Sequence, residues 1–179
     1  MVPYDDYEAV VYDLDGTLVD LIVDWETLAA DLSARLREVG VDPDRLRAWD
    51  LLTAGEEAGI GEELDAMIAE RERGGARRSE RRPLADEVPT VDRPVAVCSL
   101  NCEAACHIAL ETHDLAPAVD AVVGRDSVET RKPDPEPLLA AVRALDADPD
   151  EAVFVGDSER DAVTAERAGT AFRWVDEAG

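Results

Sequence analysis

The sequence predicts a doubly wound α/β fold, a parallel sheet with helices on both faces, carrying a small helical insertion after its first strand. Three observations predict it. Short, wholly apolar runs recur along the chain without in–out alternation, as strands buried on both faces require. Helical patterns lie between these runs, and strand–helix alternation of that kind implies a parallel sheet. One stretch, from about residue 20 to 88, breaks the alternation and reads as helix only.

The first run is Ala9-Val10-Val11-Tyr12. The insertion follows. Residues 24–39 place Trp25, Leu28, Leu32, Leu36 and Val39 on one helical stripe, and residues 62–73 form a second helix with Leu64, Met67 and Ile68 as its apolar side. Residues 71–82 then carry six arginines against two glutamates. They read equally as a solvated, flexible arm or as an anion-facing surface of the insertion, with Arg71, Arg73, Arg77, Arg78, Arg81 and Arg82 as candidates for contacting an anionic leaving group. Residues 83–94 are too short and proline-rich for a full helix.

Val95-Ala96-Val97-Cys98 is the second core strand, with a helix over 102–112. Ala121-Val122-Val123 is the third, followed by a helix over 135–145. Ala152-Val153-Phe154-Val155 is the fourth, followed by a helix over 158–168 that starts at the N-cap Ser158 and stops before Gly169. A weaker fifth run is Ala171 to Val175. The expected division is a core of residues 1–18 and 89–179 and a helical cap of residues 19–88.

The charge narrows the partners. Forty-two acidic residues against 18 basic ones give a formal net charge of −24, which repels nucleic-acid backbones and anionic membranes. Neither partner is expected. Lys132 is the only lysine and every other basic residue is arginine. An acidic surface with almost no lysine is expected of a halophilic protein, because concentrated salt screens the self-repulsion. No run of about 18 apolar residues occurs, and the N-terminus shows no basic-then-apolar secretory pattern. With three cysteines, a reducing, cytoplasmic location is expected. Cys98, Cys102 and Cys106, beside His107, match no familiar zinc spacing and read as buried small hydrophobes.

Ligands of open α/β sheets bind at the carboxyl ends of the strands, and chemistry-bearing groups collect there. Asp13 and Asp15 leave the first strand in Asp13-Leu14-Asp15-Gly16-Thr17. Two such acids repel unless a cation or a shared proton relieves them. The second strand ends in Ser99-Leu100-Asn101, and the fourth in Gly156-Asp157-Ser158-Glu159-Arg160-Asp161. Asp161 can also close a capping box with Ser158. Lys132 stands in Arg131-Lys132-Pro133, a compact point charge where a guanidinium fork would not fit.

In that order, these segments resemble the four motifs of the haloacid dehalogenase-like phosphatases, over roughly residues 8–18 and 95–170. The resemblance implies a Rossmann-like sheet with the first strand central and a helical cap inserted just after the first motif. It implies that Asp13 is the nucleophile that becomes an aspartyl phosphate, and that Asp15 is the general acid, then the base. Mg²⁺ would be held by the carboxylates of Asp13 and Asp157 and the backbone carbonyl of Asp15, with Asp161 in support. Ser99, Asn101 and Lys132 would bind the phosphate. The implied substrate is a small phosphorylated metabolite, possible examples being phosphoglycolate-like esters. Dehalogenases of the superfamily lack the second aspartate, so Asp15 disfavours that reaction. Leu100 departs from the family, whose members often have a polar residue there. A phosphomutase of β-phosphoglucomutase type shares all four motifs and is the alternative reaction. A receiver-like phosphoacceptor domain, which orders its acids and lysine differently along the chain, and a catalytically silent scaffold are the non-enzymatic alternatives.

Overall fold

The computed structural model describes residues 4–177. The elements in order are β1 (Ala9–Tyr12), β2 (Val19–Asp20), α1 (Trp25–Glu38), α2 (Ala48–Glu57), α3 (Gly61–Ala76), β3 (Glu80–Arg81), β4 (Val95–Cys98), α4 (Glu103–Thr112), β5 (Ala121–Val123), α5 (Glu136–Ala144), β6 (Ala152–Gly156), α6 (Glu159–Ala168) and β7 (Ala171–Trp174). Five strands form one parallel sheet in the order β5-β4-β1-β6-β7. The apolar runs therefore become strands as expected, and β1 lies at the centre.

Their lack of alternation has a simple cause: both faces are covered. Val10 and Tyr12 of β1, Val95 and Val97 of β4, and Val153 and Val155 of β6 point to one face, where α4 packs through Ala105, Cys106 and Leu110. Ala9, Val11, Ala96, Cys98 and Phe154 point to the other, against Leu138 and Val142 of α5 and Ala165 of α6. All three cysteines are free and buried, two of them on the α4 face and Cys98 on the other.

Residues 25–76 form three helices with an apolar cluster of their own, built from Leu28, Leu32, Leu36, Leu51, Leu52, Leu64 and Ile68. Two details differ from expectation. A further helix, α2, lies between the two that the sequence marks. The α1 stripe is buried only in its middle, with Trp25 40% and Val39 39% exposed. The arginine-rich segment is not an arm. Its first half is the last turns of α3, and Arg81 pairs with Val19 across the short antiparallel β2–β3 ladder that joins the entry and exit of the insertion. Gly75 holds α3 against the entry segment, since a Cβ there would lie 2.9 Å from the Ile22 carbonyl oxygen. Beyond β3, two short 3₁₀ turns, Pro83–Asp86 and Val88–Thr90, replace the helix that the prolines preclude.

Candidate active site

Asp13 follows β1 directly, and its N–H donates to the Val155 carbonyl of β6 (2.8 Å), so the sheet itself fixes it. Lys132 approaches from the loop before α5. Its Nζ donates to Asp13 Oδ1 (2.9 Å), Asp161 Oδ1 (2.5 Å) and the Cys98 carbonyl (3.2 Å), and it sits 5.3 Å from the centre of the Phe154 ring. Asp13, Lys132 and Asp161 are all buried. A buried ammonium with two carboxylate acceptors spends all its donors here, which explains the choice of lysine.

Asp161 has a second duty. Its Oδ2 accepts from the Ser158 hydroxyl (2.6 Å) and N–H (3.2 Å), closing the expected capping box at the start of α6. Gly169 ends α6 in the left-handed conformation, φ +75°. Gly16 is required at the turn after Asp15, with φ +83° and an Asp157 carboxylate oxygen 2.2 Å from where a Cβ would stand.

The electrostatics are those of crowded acids. Burial pushes the Asp13 carboxyl up to about 7 against the pull of Lys132, and Asp161 adds to the rise. Burial also raises Asp157, helped by Asp161, and raises Asp15 against the hydrogen bond that its Oδ1 accepts from Leu21 N–H (2.8 Å). For Lys132, burial opposes the charge, but Asp13 and Asp161 outweigh it and raise its pKa. Asp13, Asp157 and Asp161 each offer a carboxylate oxygen, all within 4.8 Å of one another. One ammonium does not balance three carboxylates, and an oxygen-only donor set of this charge fits a hard divalent cation. Asp161 is already engaged through both oxygens, so Asp13 and Asp157 are the freer ligands, and the Asp15 carboxylate stands outside the cluster.

The second-strand loop is braced from within. Ser99 Oγ donates to Asn101 Oδ1 (3.0 Å) and accepts from Asn101 N–H (3.1 Å). Asn101 Nδ2 donates to Glu72 of α3 (3.3 Å), so this amide is turned toward the insertion. Above these groups opens a cavity of about 280 Å³. Asp13, Asp15, Ser99, Asn101, Lys132, Asp157 and Asp161 all line it, so the expected site residues converge on one space. Trp25, Trp49, Leu100 and Arg160 line it too; the sequence placed Leu100 and Arg160 within the motif segments without a role and gave Trp25 and Trp49 no place in the site. None of the arginines of residues 71–82 lines the cavity. Arg71 pairs with Asp31, Arg81 with Asp86 and Arg82 with Asp20, while Arg78 donates to the Ile22 carbonyl.

Residues 86–175 match the family model of the haloacid dehalogenase-like hydrolases. A phosphoglycolate phosphatase of Cereibacter sphaeroides is 33% identical over 91% of this chain and 82% of its own length. The chain belongs to the haloacid dehalogenase-like hydrolases. A phosphoglycolate phosphatase of Rhodospirillum rubrum is likewise 33% identical, over 90% of this chain and 76% of its own. With these relatives, the haloacid dehalogenase-like chain is a phosphoric monoester hydrolase. The fold agrees. A solved structure from Bacteroides fragilis, described as a haloacid dehalogenase-like hydrolase, superposes with a TM-score of 0.71 at 21% identity, covering 93% of this chain and 86% of that one. Among the described residues, no helix is long and apolar enough to cross a membrane.

Proposed function

We propose that the protein is a magnesium-dependent phosphatase of small phosphorylated metabolites that works through an aspartyl phosphate on Asp13. The observation that carries this reading is the Asp13–Lys132–Asp161 constellation, buried at the floor of a cavity that Asp15 and Asp157 also face. An Asp13 carboxylate oxygen attacks phosphorus and the bond from phosphorus to the leaving oxygen breaks. Asp15, whose carboxyl burial shifts toward its protonated form, gives that oxygen its proton. Asp15 then takes a proton from water, which attacks phosphorus, releases inorganic phosphate and restores Asp13. Lys132 holds Asp13 in place and offsets charge on the phosphoryl oxygens, and Ser99 offers a hydroxyl to them. Asp13 and Asp157, with the Asp15 carbonyl, are the groups to hold Mg²⁺, which when bound supplies electrostatic stabilisation of the phosphoryl group. Residues 1–18 and 89–179 form the catalytic core in this reading, and residues 19–88 the cap over it.

Phosphate release from p-nitrophenyl phosphate and from a panel that includes phosphoglycolate tests the reading, with Mg²⁺ or with EDTA. Turnover that needs Mg²⁺ and disappears in Asp13→Asn supports it. A folded protein that releases no phosphate from any member, or an Asp13→Asn variant of full activity, refutes it.

A further inference from the structure

Part of the cavity wall is aromatic. Trp25, the first residue of α1, and Trp49 of α2 bring two indoles to it, and Leu100 adds an apolar side chain from the core. The indoles are backed by Leu28, Leu32 and Ile68, with which they share a hollow of about 20 Å³. Trp49 is also fixed from the side. The guanidinium of Arg125 lies 5.6 Å from its ring centre. Arg125 is itself buried, bonded to Asp65 (2.7 Å), Glu72 (2.7 Å) and the Leu100 carbonyl (2.7 Å). Trp49 is thus held in place before any ligand arrives.

The charges around the same space argue against an anionic leaving group. Lys132 is committed to Asp13 and Asp161, which leaves Arg160 as the other cation of the lining. Asp15 and Asp157 face the cavity, and none of the arginines of residues 71–82 lines it; Arg82, whose charge lowers the Asp157 pKa, is paired with Asp20. A leaving-group carboxylate would meet indoles and acids, with Arg160, among the described residues, the one cation of the lining left to receive it. An uncharged ring would find two indole faces to stack on. A volume of about 280 Å³ sits at the lower edge of ligand sites, which run from roughly 300 Å³ upward. It suits a phosphoryl group and a single ring.

We infer that Trp25 and Trp49 form the leaving-group site, and that the substrate is a phosphate monoester of an uncharged, ring-bearing alcohol. This rests on the reading of Asp13 as nucleophile. An aryl ring and the C–H face of a sugar ring offer the same chemistry to an indole, and the test separates them.

The full-length protein with Mg²⁺ is assayed for phosphate release from phenyl phosphate, glucose 6-phosphate, glycerol phosphate and phosphoglycolate. The same series is run on Trp25→Ala, Trp49→Ala and Trp49→Phe. One of the two ring esters is expected to exceed both acyclic esters about tenfold in kcat/KM, and the better one identifies the ring type. Trp49→Ala is expected to cut that ratio about tenfold through KM, with Trp49→Phe restoring most of it. Binding is read independently of turnover by tryptophan fluorescence, titrating with phenylphosphonate and methylphosphonate. Phosphatase activity without ring preference, or alanine variants that slow all four esters alike, overturns the inference while leaving the phosphatase reading intact. Absence of turnover with phenylphosphonate bound at least tenfold more tightly than methylphosphonate, and that difference lost in Trp49→Ala, refutes the phosphatase reading and keeps the ring site.

Discussion

Glu72 and Arg125 form an ion pair of 2.7 Å between the insertion and the core, with the two side chains 0% and 3% exposed. Neither charge stands alone. Glu72 also accepts from Asn101 Nδ2 and from the Cys102 N–H, while Arg125 holds Asp65 and the Leu100 carbonyl. One carboxylate of α3 thus ties the helices of the insertion to the loop that carries Ser99. Removing Arg125 leaves the Glu72 carboxylate buried and without a cation, at about 3–5 kcal/mol. Arg125→Ala is expected to lose that much in urea unfolding, and Glu72→Ala less, because Arg125 keeps its pair with Asp65. The Glu72→Ala/Arg125→Ala double variant is expected to lose markedly less than the sum of the singles. Additive losses would show that the two groups are energetically independent.

Gly16 fixes the distance between the two acidic loops. Alanine there would place a Cβ 2.2 Å from Asp157 Oδ2, at a φ of +83°. The conformation alone costs an L side chain about 1–2 kcal/mol. The obstructing atom is the tip of Asp157, so that carboxylate must turn away. Gly16→Ala is expected to remain folded, with stability lowered by about 1–2 kcal/mol, and to need at least tenfold more Mg²⁺ for half-maximal activity. An unchanged Mg²⁺ requirement would remove Asp157 from the ligand set.

Magnesium and protons should compete at Asp13. The unfolded carboxyl ionises near 3.8, whereas burial moves it to about 7 in the folded chain. Between those values the folded state keeps a proton that the unfolded state has lost. The contribution of this group to stability therefore falls as pH rises from about 4 to 7 and is level above that. A cation that takes the place of the proton gains most where the proton is already absent. The rise in Tm on replacing EDTA by Mg²⁺ should accordingly be larger at pH 8 than at pH 5. Equal rises at both values would contradict the placement of the cation at Asp13.

The three thiols should be inert in the native protein. Burial pushes Cys98 up to about 12 and Cys102 up to about 11, and raises Cys106 as well. At pH 8 a thiol with a pKa of 11 is thiolate in roughly one molecule in a thousand, and only the thiolate reacts. Titration with a disulfide reagent is expected to find no reactive thiol in the folded chain and all three in denaturant. Fast reaction of any one would place it at an accessible surface.

The sequence by itself determined the strands of the sheet and the groups at its carboxyl edge, while the centrality of β1 came from the family resemblance. The information was local. A run such as Val95 to Cys98 is apolar at every position because both faces are covered. Ser158 and Gly169 mark their own helix ends through backbone requirements that no distant residue alters. Asp13, Ser99 and Asp157 follow strands directly, so strand adjacency carries them to one edge. Tertiary structure alone decided what meets across the insertion. A helical stripe shows which face is apolar but not which neighbour covers it, so Trp25 read as core although it lines the cavity and is 40% exposed. Glu72 lay within an arginine-rich segment that read equally as a solvated arm or an anion-facing surface, yet its partner Arg125 comes 53 residues later. The arginines around it scatter to separate partners for the same reason. An ion pair depends on where two chain segments pack, and the charge of a segment does not specify that.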